Sequence, residues 1–305
     1  MGHGKKQDFR RECIGDICGR SFSSKQILED IGPRLKNPFG ADKTTVAISG
    51  LSTGFNELDK LIDGLHPGEL IIVAQRPCMG AERFVRQIML HVAENAQVPA
   101  VYFSTEKSRA FILREMVANT AQIFPHYYQH HSYLTEQDLQ AIASAAERLA
   151  EAPIIINDNS ANPRDIREHV ETLCQSGNRP GLIVVDKIPR SIETSSKAGR
   201  VLGNMSYELF RIARDNQIPV IALASVSRKL EYRKDKEPRL AEIVSADGIL
   251  WYADTVITLY KEAFYEPYTS RQNQTRFNVA KSFYGDGGWF ELLQDGHSGQ
   301  FVAVK

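Results

Sequence analysis

Short apolar runs, each bounded by turn residues and followed by a helix-length segment, constrain this chain more than any other feature. Leu70-Ile-Ile-Val-Ala74 follows the turn His66-Pro67-Gly68. Pro99–Ser104, Pro153–Asn157, Gly181–Asp186 and Pro219–Ala224 repeat the pattern. Runs without polar alternation suit strands buried on both faces, as in parallel sheets. Ala81–Ala96, Ala110–Thr120, Glu136–Glu151, Pro163–Gln175 and Asn204–Asn216 read as the intervening helices. Thr135 and Asp138 form a capping-box pattern ahead of Glu136–Glu151, and Pro163 suits a first helical turn. The alternation predicts an α/β fold with a mostly parallel twisted sheet and flanking helices. The tail has another rhythm. Ala253–Tyr260, Thr275–Lys281, Trp289–Leu293 and Gln300–Val304, separated by Gly and Asp turns, read as closing antiparallel strands.

Residues 1–47 differ from the rest and read as a linker or leader with two short helices, one ending near Gly19 and one running from Ser23 or Ser24 to Ile31. The α/β pattern occupies 48–305. Lys+Arg and Asp+Glu are both 37, so the formal charge is zero. That excludes a whole-chain polycation that grips nucleic acid by bulk charge, while leaving room for a local basic patch. Four cysteines without a C-x-x-C pair, no apolar leader and no membrane-length apolar run predict a protein of the reduced cytoplasm with no membrane partner. Cys13 and Cys18 lack the further ligands of a zinc site.

In open α/β sheets ligands bind beyond the carboxyl ends of the strands. Three such ends carry suggestive groups. After the first strand comes Gln75-Arg76-Pro77-Cys78-Met79-Gly80-Ala81-Glu82, a strand–loop–helix frame of the kind that cradles phosphates. Ser104-Thr105-Glu106 follows the second, where a carboxylate can orient an attacking water. Asp186 ends the Gly181 strand, the place of a Mg²⁺-orienting acid.

Gly50-Leu-Ser-Thr-Gly54-Phe-Asn-Glu-Leu58-Asp59, Gly64-Leu-His-Pro-Gly-Glu-Leu70, Ile71–Gly80, Phe103–Glu106, Leu182–Asp186, Pro219–Leu223 and Ser227–Pro238 together resemble the bacterial replicative DNA helicase (DnaB) family, in order, over about 48–305. The resemblance implies a RecA-like P-loop NTPase core with ATP and Mg²⁺ as ligands. It also implies a ring-forming homo-oligomer, single-stranded DNA, and replication proteins or a replicative helicase as partners. Residues 1–47 would be the linker that docks on a neighbouring subunit, and Glu106 and Asp186 the catalytic acids.

The chain departs from the family where charge matters most. The phosphate loop, Arg76, Cys78, Met79, Gly80, Ala81 and Glu82, carries Ala81-Glu82 where the family has Lys-Thr/Ser. Ala81 supplies no cation. A carboxylate at Glu82 would repel a phosphate charge by about 4 kcal/mol at ~4 Å and an effective dielectric of ~20. Arg76 and Arg83 are candidate substitutes for the missing charge. Ser225 stands at the family's sensor Gln. Lys281 and Phe283 stand at its intersubunit Lys-x-Arg hairpin, so the finger is Phe. Val244-Ser245-Ala246-Asp247 replaces its DNA-contacting Arg-Glu-Ser-Gly loop. Lys187, next to Asp186, is placed to pair with that acid where the metal would sit.

These losses together predict a catalytically defective pseudo-ATPase that holds ATP and Mg²⁺ weakly or not at all, with Glu106 and Asp186 as remnants. An active helicase with an unusual loop is the alternative. A DNA-binding or oligomeric structural protein using Arg228, Lys229, Arg233 and Lys234 is another. His126, His130 and His131 among Tyr127, Tyr128 and Tyr133 read as a polar loop, with a partner contact or metal as alternatives. Trp251, Tyr252 and Trp289 read as core.

Overall fold

Apolar strands with side chains on both faces need a layer of helices on each, and the chain supplies them. A computed structural model describes residues 48–124, 134–159, 162–188, 196–243, 246–296 and 298–304, with the side chains of 196–204 and 246–247 set aside. The readings made for 1–47, for His126 to Tyr133, and for Val244 and Ser245 lie outside the described residues. The strands are β1 (Leu70–Gln75), β2 (Ala100–Ser104), β3 (Ile154–Asn157), β4 (Leu182–Asp186), β5 (Val220–Ser225), β6 (Thr255–Tyr260), β7 (Gln274–Lys281), β8 (Gly288–Gln294) and β9 (Phe301–Ala303). They form one sheet in the order β3-β2-β4-β5-β1-β6-β7-β8-β9. The helices are α1 (Asn56–Ile62), α2 (Ala81–Ala96), α3 (Arg109–Thr120), α4 (Glu136–Glu151), α5 (Pro163–Gln175), α6 (Ser196–Asn216) and α7 (Ala246–Tyr252).

Alternate residues of β1 build the two halves of the core. Ile71 and Val73 pack with Phe84, Ile88 and Met89 of α2 and with Ile112 and Met116 of α3. Leu70, Ile72 and Ala74 face Leu209 and Ile212 of α6 and Ile166 and Val170 of α5. Leu70 to Ala74 are buried throughout, as a central strand covered on both faces requires.

The caps follow the sequence. Thr135 and Asp138 exchange the two hydrogen bonds of a capping box at α4, and Asn162 caps α5 ahead of Pro163. α6 begins at Ser196, ahead of the predicted Asn204, running through Gly199 and Gly203. Thr255–Tyr260 is only half as predicted. It is antiparallel to β7 but parallel to β1, because α7 carries the chain back to the starting end of the sheet before β6 begins.

Two tryptophans overturn the core reading. Trp251 is 82% exposed at the end of α7, and Trp289 is 62% exposed with the Arg276 guanidinium 4.9 Å from its ring. β8 turns Phe290 and Leu292 inward, so Trp289 faces out. Tyr252 lies half-buried against Tyr207 and Phe210.

The resemblance motif around Gly50–Asp59 has a structural purpose. Buried Asp59 accepts from the Ser52 hydroxyl and from the Thr53 amide and hydroxyl, fixing the segment against α1. An aromatic cluster joins the start of α2 to the tail strands. Phe84 lies 4.5 Å from Phe277 and 4.9 Å from Phe55, and Phe277 stacks on Phe290 at 5.0 Å.

At the opposite end of β1, Glu69 is buried beneath the sheet. Its carboxyl accepts from the Thr255 hydroxyl at 2.5 Å and from the His66 amide at 3.1 Å. Burial lifts it to about 7 from an ordinary 4.5, and Asp254 adds to the rise. The two hydrogen bonds and the Arg214 charge oppose it. Below pH 4.5 folded and unfolded chains both hold this proton. Between 4.5 and 7 only the folded chain does, so stability falls as pH rises through that window, by about 3 kcal/mol in all. Glu69→Gln removes this slope. Urea denaturation from pH 4.5 to about 8 should show the wild type losing ground to the variant. Parallel profiles would contradict the assignment.

Candidate functional site

The register brings the suggestive strand ends to one edge. Gln75 lies opposite Ser225 across β1 and β5, and Ser104 lies opposite Asp186 across β2 and β4. The loop after β1, Glu106 after β2, Asp186 at the end of β4 and Ser225 at the end of β5 therefore share the carboxyl edge, where the fold class places ligands.

The loop is built around Gln75. Its carboxamide oxygen accepts from the Ala81 amide at 2.8 Å, and its Nε2 donates to Glu82 Oε2 at 2.8 Å. One side chain thus occupies an amide at the start of α2 and fixes the carboxylate next to it. Gly80 adopts φ 97°, and a Cβ there would stand 2.9 Å from Phe301 Cζ, so glycine is needed on both counts. Met79 is buried, while Cys78 is exposed at φ 68°, a left-handed conformation unusual outside glycine.

Arg76, a candidate substitute for the missing lysine, is engaged elsewhere. Its Nε donates to Glu231 at 2.8 Å and its Nη1 to the Val226 carbonyl at 3.1 Å. These bonds fasten the loop to the 3-10 turn Arg228–Tyr232. Arg86 Nε donates to the Glu82 carbonyl, and the Arg86 guanidinium stands 3.9 Å from Glu115.

The two candidate acids differ. Asp186 is buried, and burial lifts its carboxyl above the ordinary range. The neighbouring Tyr102 hydroxyl and the Lys107 charge oppose the rise, and Glu82 adds to it. Burial and the Asp186 charge raise Tyr102 in turn. Glu106 is bound by Lys187, whose Nζ lies 2.6 and 2.7 Å from its two oxygens. The expected pairing of Lys187 with Asp186 is therefore corrected. Lys187 turns through φ 73° and its side chain leaves Asp186 for the acid on the next strand. Thr105 braces the same turn by donating to the Asp186 carbonyl at 2.9 Å. Among the described residues no group of three or more His, Cys, Asp or Glu side chains could hold a metal ion.

The hairpin residues lie apart from the loop. Lys281 Nζ donates to the Leu250 and Ala253 carbonyls at the end of α7, a helix-capping use of a cation. Phe283 is 71% exposed and packs edge-on to Tyr284, which stacks on His66 at 3.7 Å. In the basic segment, Arg233 is spent on Glu242 and Asp235, while Arg228, Lys229 and Lys234 are exposed.

Sequence reasoning missed Gln75 and the Glu106–Lys187 pair. The signal for Gln75 was its own place, a side-chain amide at the strand end facing the loop that carries Glu82.

A family model described as the DnaB-like helicase C terminal domain matches residues 50–303. A probable replicative DNA helicase of Trieres chinensis is 30% identical over 287 residues, which cover 92% of this chain and 62% of that one. The replicative DNA helicase DnaC of Bacillus subtilis is 31% identical over 262 residues, covering 85% of this chain and 57% of its own. The chain thus spans a little over half the length of these relatives. Among solved structures, the ATPase domain of G40P superposes with a TM-score of 0.84 at 21% identity, covering 94% of this chain and all of that one. A DnaB-like replicative helicase, described with its interactions with primase, gives 0.81 at 21% identity, covering 94% and 68%. At that identity the two structures speak for the fold.

The Arg76–Glu231 contact predicts a measurable coupling. Arg76→Met and Glu231→Gln, alone and together, should give a double-mutant coupling of about 1–2 kcal/mol in urea denaturation. A coupling near zero would mean the pair does not hold the loop.

Proposed function

Because the chain belongs to the DnaB-like helicase C-terminal domain family, we propose that it is a catalytically silent relative of the replicative DNA helicases, its RecA-like core serving assembly in DNA replication instead of ATP-driven movement. It would act with copies of itself or with an active helicase, as a scaffold or regulator. One observation carries the reading: Gln75 closes the phosphate loop on itself. The Ala81 amide is already hydrogen-bonded, no cation stands at Ala81, and Glu82 puts negative charge at the helix start. A nucleotide's phosphates would meet a carboxylate and would have to displace Gln75.

The residues present therefore do not fit Mg-ATP. Asp186 is disfavoured in the charged form that binds a metal, and Glu106 must release Lys187 before it can orient water. No step of hydrolysis follows from this arrangement. Incubation with Mg-ATP, with or without a single-stranded oligonucleotide, should release no phosphate above a buffer blank. Turnover that disappears in Asp186→Asn or Glu106→Gln would overturn the proposal. Ala81→Lys with Glu82→Thr should raise Mg-ATP affinity by about a hundredfold or more. Fast turnover should not return, since Phe283 has no guanidinium to offer a neighbour.

A second reading, single-strand binding, has its own support. Each carboxylate of the basic segment is engaged: Glu231 with Arg76, Asp235 with Arg233 and Arg239, and Glu237 with Arg276. Among the described residues no carboxylate pairs with Arg228, Lys229 or Lys234, and Tyr232 between them is 90% exposed. Cations beside a free aromatic suit phosphates and a stacked base. A labelled oligonucleotide should bind at low salt, with log K falling against log salt at a slope of about −2 for these three cations. Absence of binding at low salt would remove this reading.

A further inference from the structure

The start of α2 has two flanks of opposite charge. Glu82 faces β1, held by Gln75 and near enough to Asp186 to raise its carboxyl. Arg83, the next residue, is turned by about 100° around the helix. Its guanidinium lies over Gly299 in the β8–β9 turn, where a Cβ would stand 3.0 Å from Nη1 and 3.2 Å from Cζ. Gly299 has φ +71°, so the turn itself favours glycine and leaves this space.

Two further groups reach the same corner. Lys261 is the first residue beyond β6, and its Nζ donates to Gln294 Oε1 at 2.9 Å. Gln294 Nε2 stands 3.4 Å from the place of a Cβ on Gly80, and 3.4 Å from the Gly299 carbonyl to which it donates. Lys261 is partly buried, and its pKa is lowered by that burial and by the Arg83 charge. Among the described residues, no carboxylate lies within ion-pair distance of Arg83 or Lys261. Asp295, the acid of the β8–β9 turn, accepts from the Ser298 amide and hydroxyl. Glu262, beside Lys261, accepts from the Thr269 hydroxyl and faces Arg271.

Two cations held near each other without a counter-ion are costly unless an anion joins them. We propose that Arg83, Lys261 and the Gln294 carboxamide form a metal-independent anion site, beside the loop, that takes a single phosphate group. A guanidinium fork, an ammonium and an amide N–H supply donors to a tetrahedral oxyanion. The carboxylates that a Mg²⁺-bound polyphosphate would use lie on the other flank. The site needs neither hydrolysis nor a lysine at Ala81, so it stands apart from the proposal of catalytic silence.

Titration calorimetry on the full chain in EDTA and low salt tests it, first with inorganic phosphate and then with adenosine 5′-monophosphate. Phosphate should bind, and Arg83→Gln and Lys261→Gln should each weaken it by about tenfold. Arg83→Lys, which keeps the charge, should retain most of the affinity. Lys60→Gln, an exposed position at the end of α1, should bind as the wild type does, and thermal melting checks that each variant is folded. The two ligands separate the source. A tenfold or greater preference for the monophosphate assigns the site to a nucleotide, and equal affinity assigns it to free phosphate. No binding of either ligand at millimolar concentration, or unchanged affinity in the Arg83→Gln, Lys261→Gln double variant, would overturn the proposal. Without Mg²⁺ or turnover in the assay, such a failure leaves the question of hydrolysis to its own test.

Discussion

Burial of β1 on both faces is the constraint on which the rest depends. Paired with β5 on one side and β6 on the other, and covered by α2 and α6, this strand admits no polar side chain until Gln75. Its chemistry is forced to its two ends. At one end Glu69 is held by Thr255 and the His66 amide, and at the other Gln75 folds back onto the helix that follows. The parallel neighbours obey the same rule, which is why the remaining acids, Glu106 and Asp186, also collect at the carboxyl edge.

The fold was largely legible because this constraint leaves a plain trace in one dimension. Apolar runs, Pro and Gly punctuation, the Thr135 cap and Pro163 at a first helical turn located the strands and most helices within a few residues. The direction of β6 was not legible, since a run such as Thr255–Tyr260 reads alike whichever way it enters a sheet. What decides it is α7, a seven-residue helix lying against a segment with a weak pattern. Trp251 and Trp289 misled for a related reason. Hydrophobicity says that a side chain gains from burial, but the pleat of β8 and the end of α7 decide which side chains obtain it.

The site was legible in its residue types and less so in its pairings. Loss of the lysine at Ala81 and gain of Glu82 can be read directly. That Gln75 answers Glu82, that Lys187 reaches Glu106 and leaves Asp186, and that Arg76 serves Glu231 are contacts across β1, β2, β4 and the Arg228–Tyr232 turn. Such contacts depend on strand order, which spacing along the chain does not encode. The outcome is a strand edge whose charged groups satisfy one another: Glu106 is paired with Lys187, Asp186 is withdrawn from water, and Arg76 of the loop is fastened to the scaffold.

The sheet's outer margins carry a consequence of their own. β3 and β9 are its terminal strands, of four and three residues. β3 is nearly all isoleucine, the composition that invites a foreign strand to zip on, yet its length limits any such ladder to a few hydrogen bonds. Growth of the sheet from one molecule to the next is thereby discouraged at both borders. The exposed apolar side chains lie instead on helices and turns, where Trp251 and Phe283 stand out in water. Surfaces of that kind can be tuned residue by residue without disturbing the core.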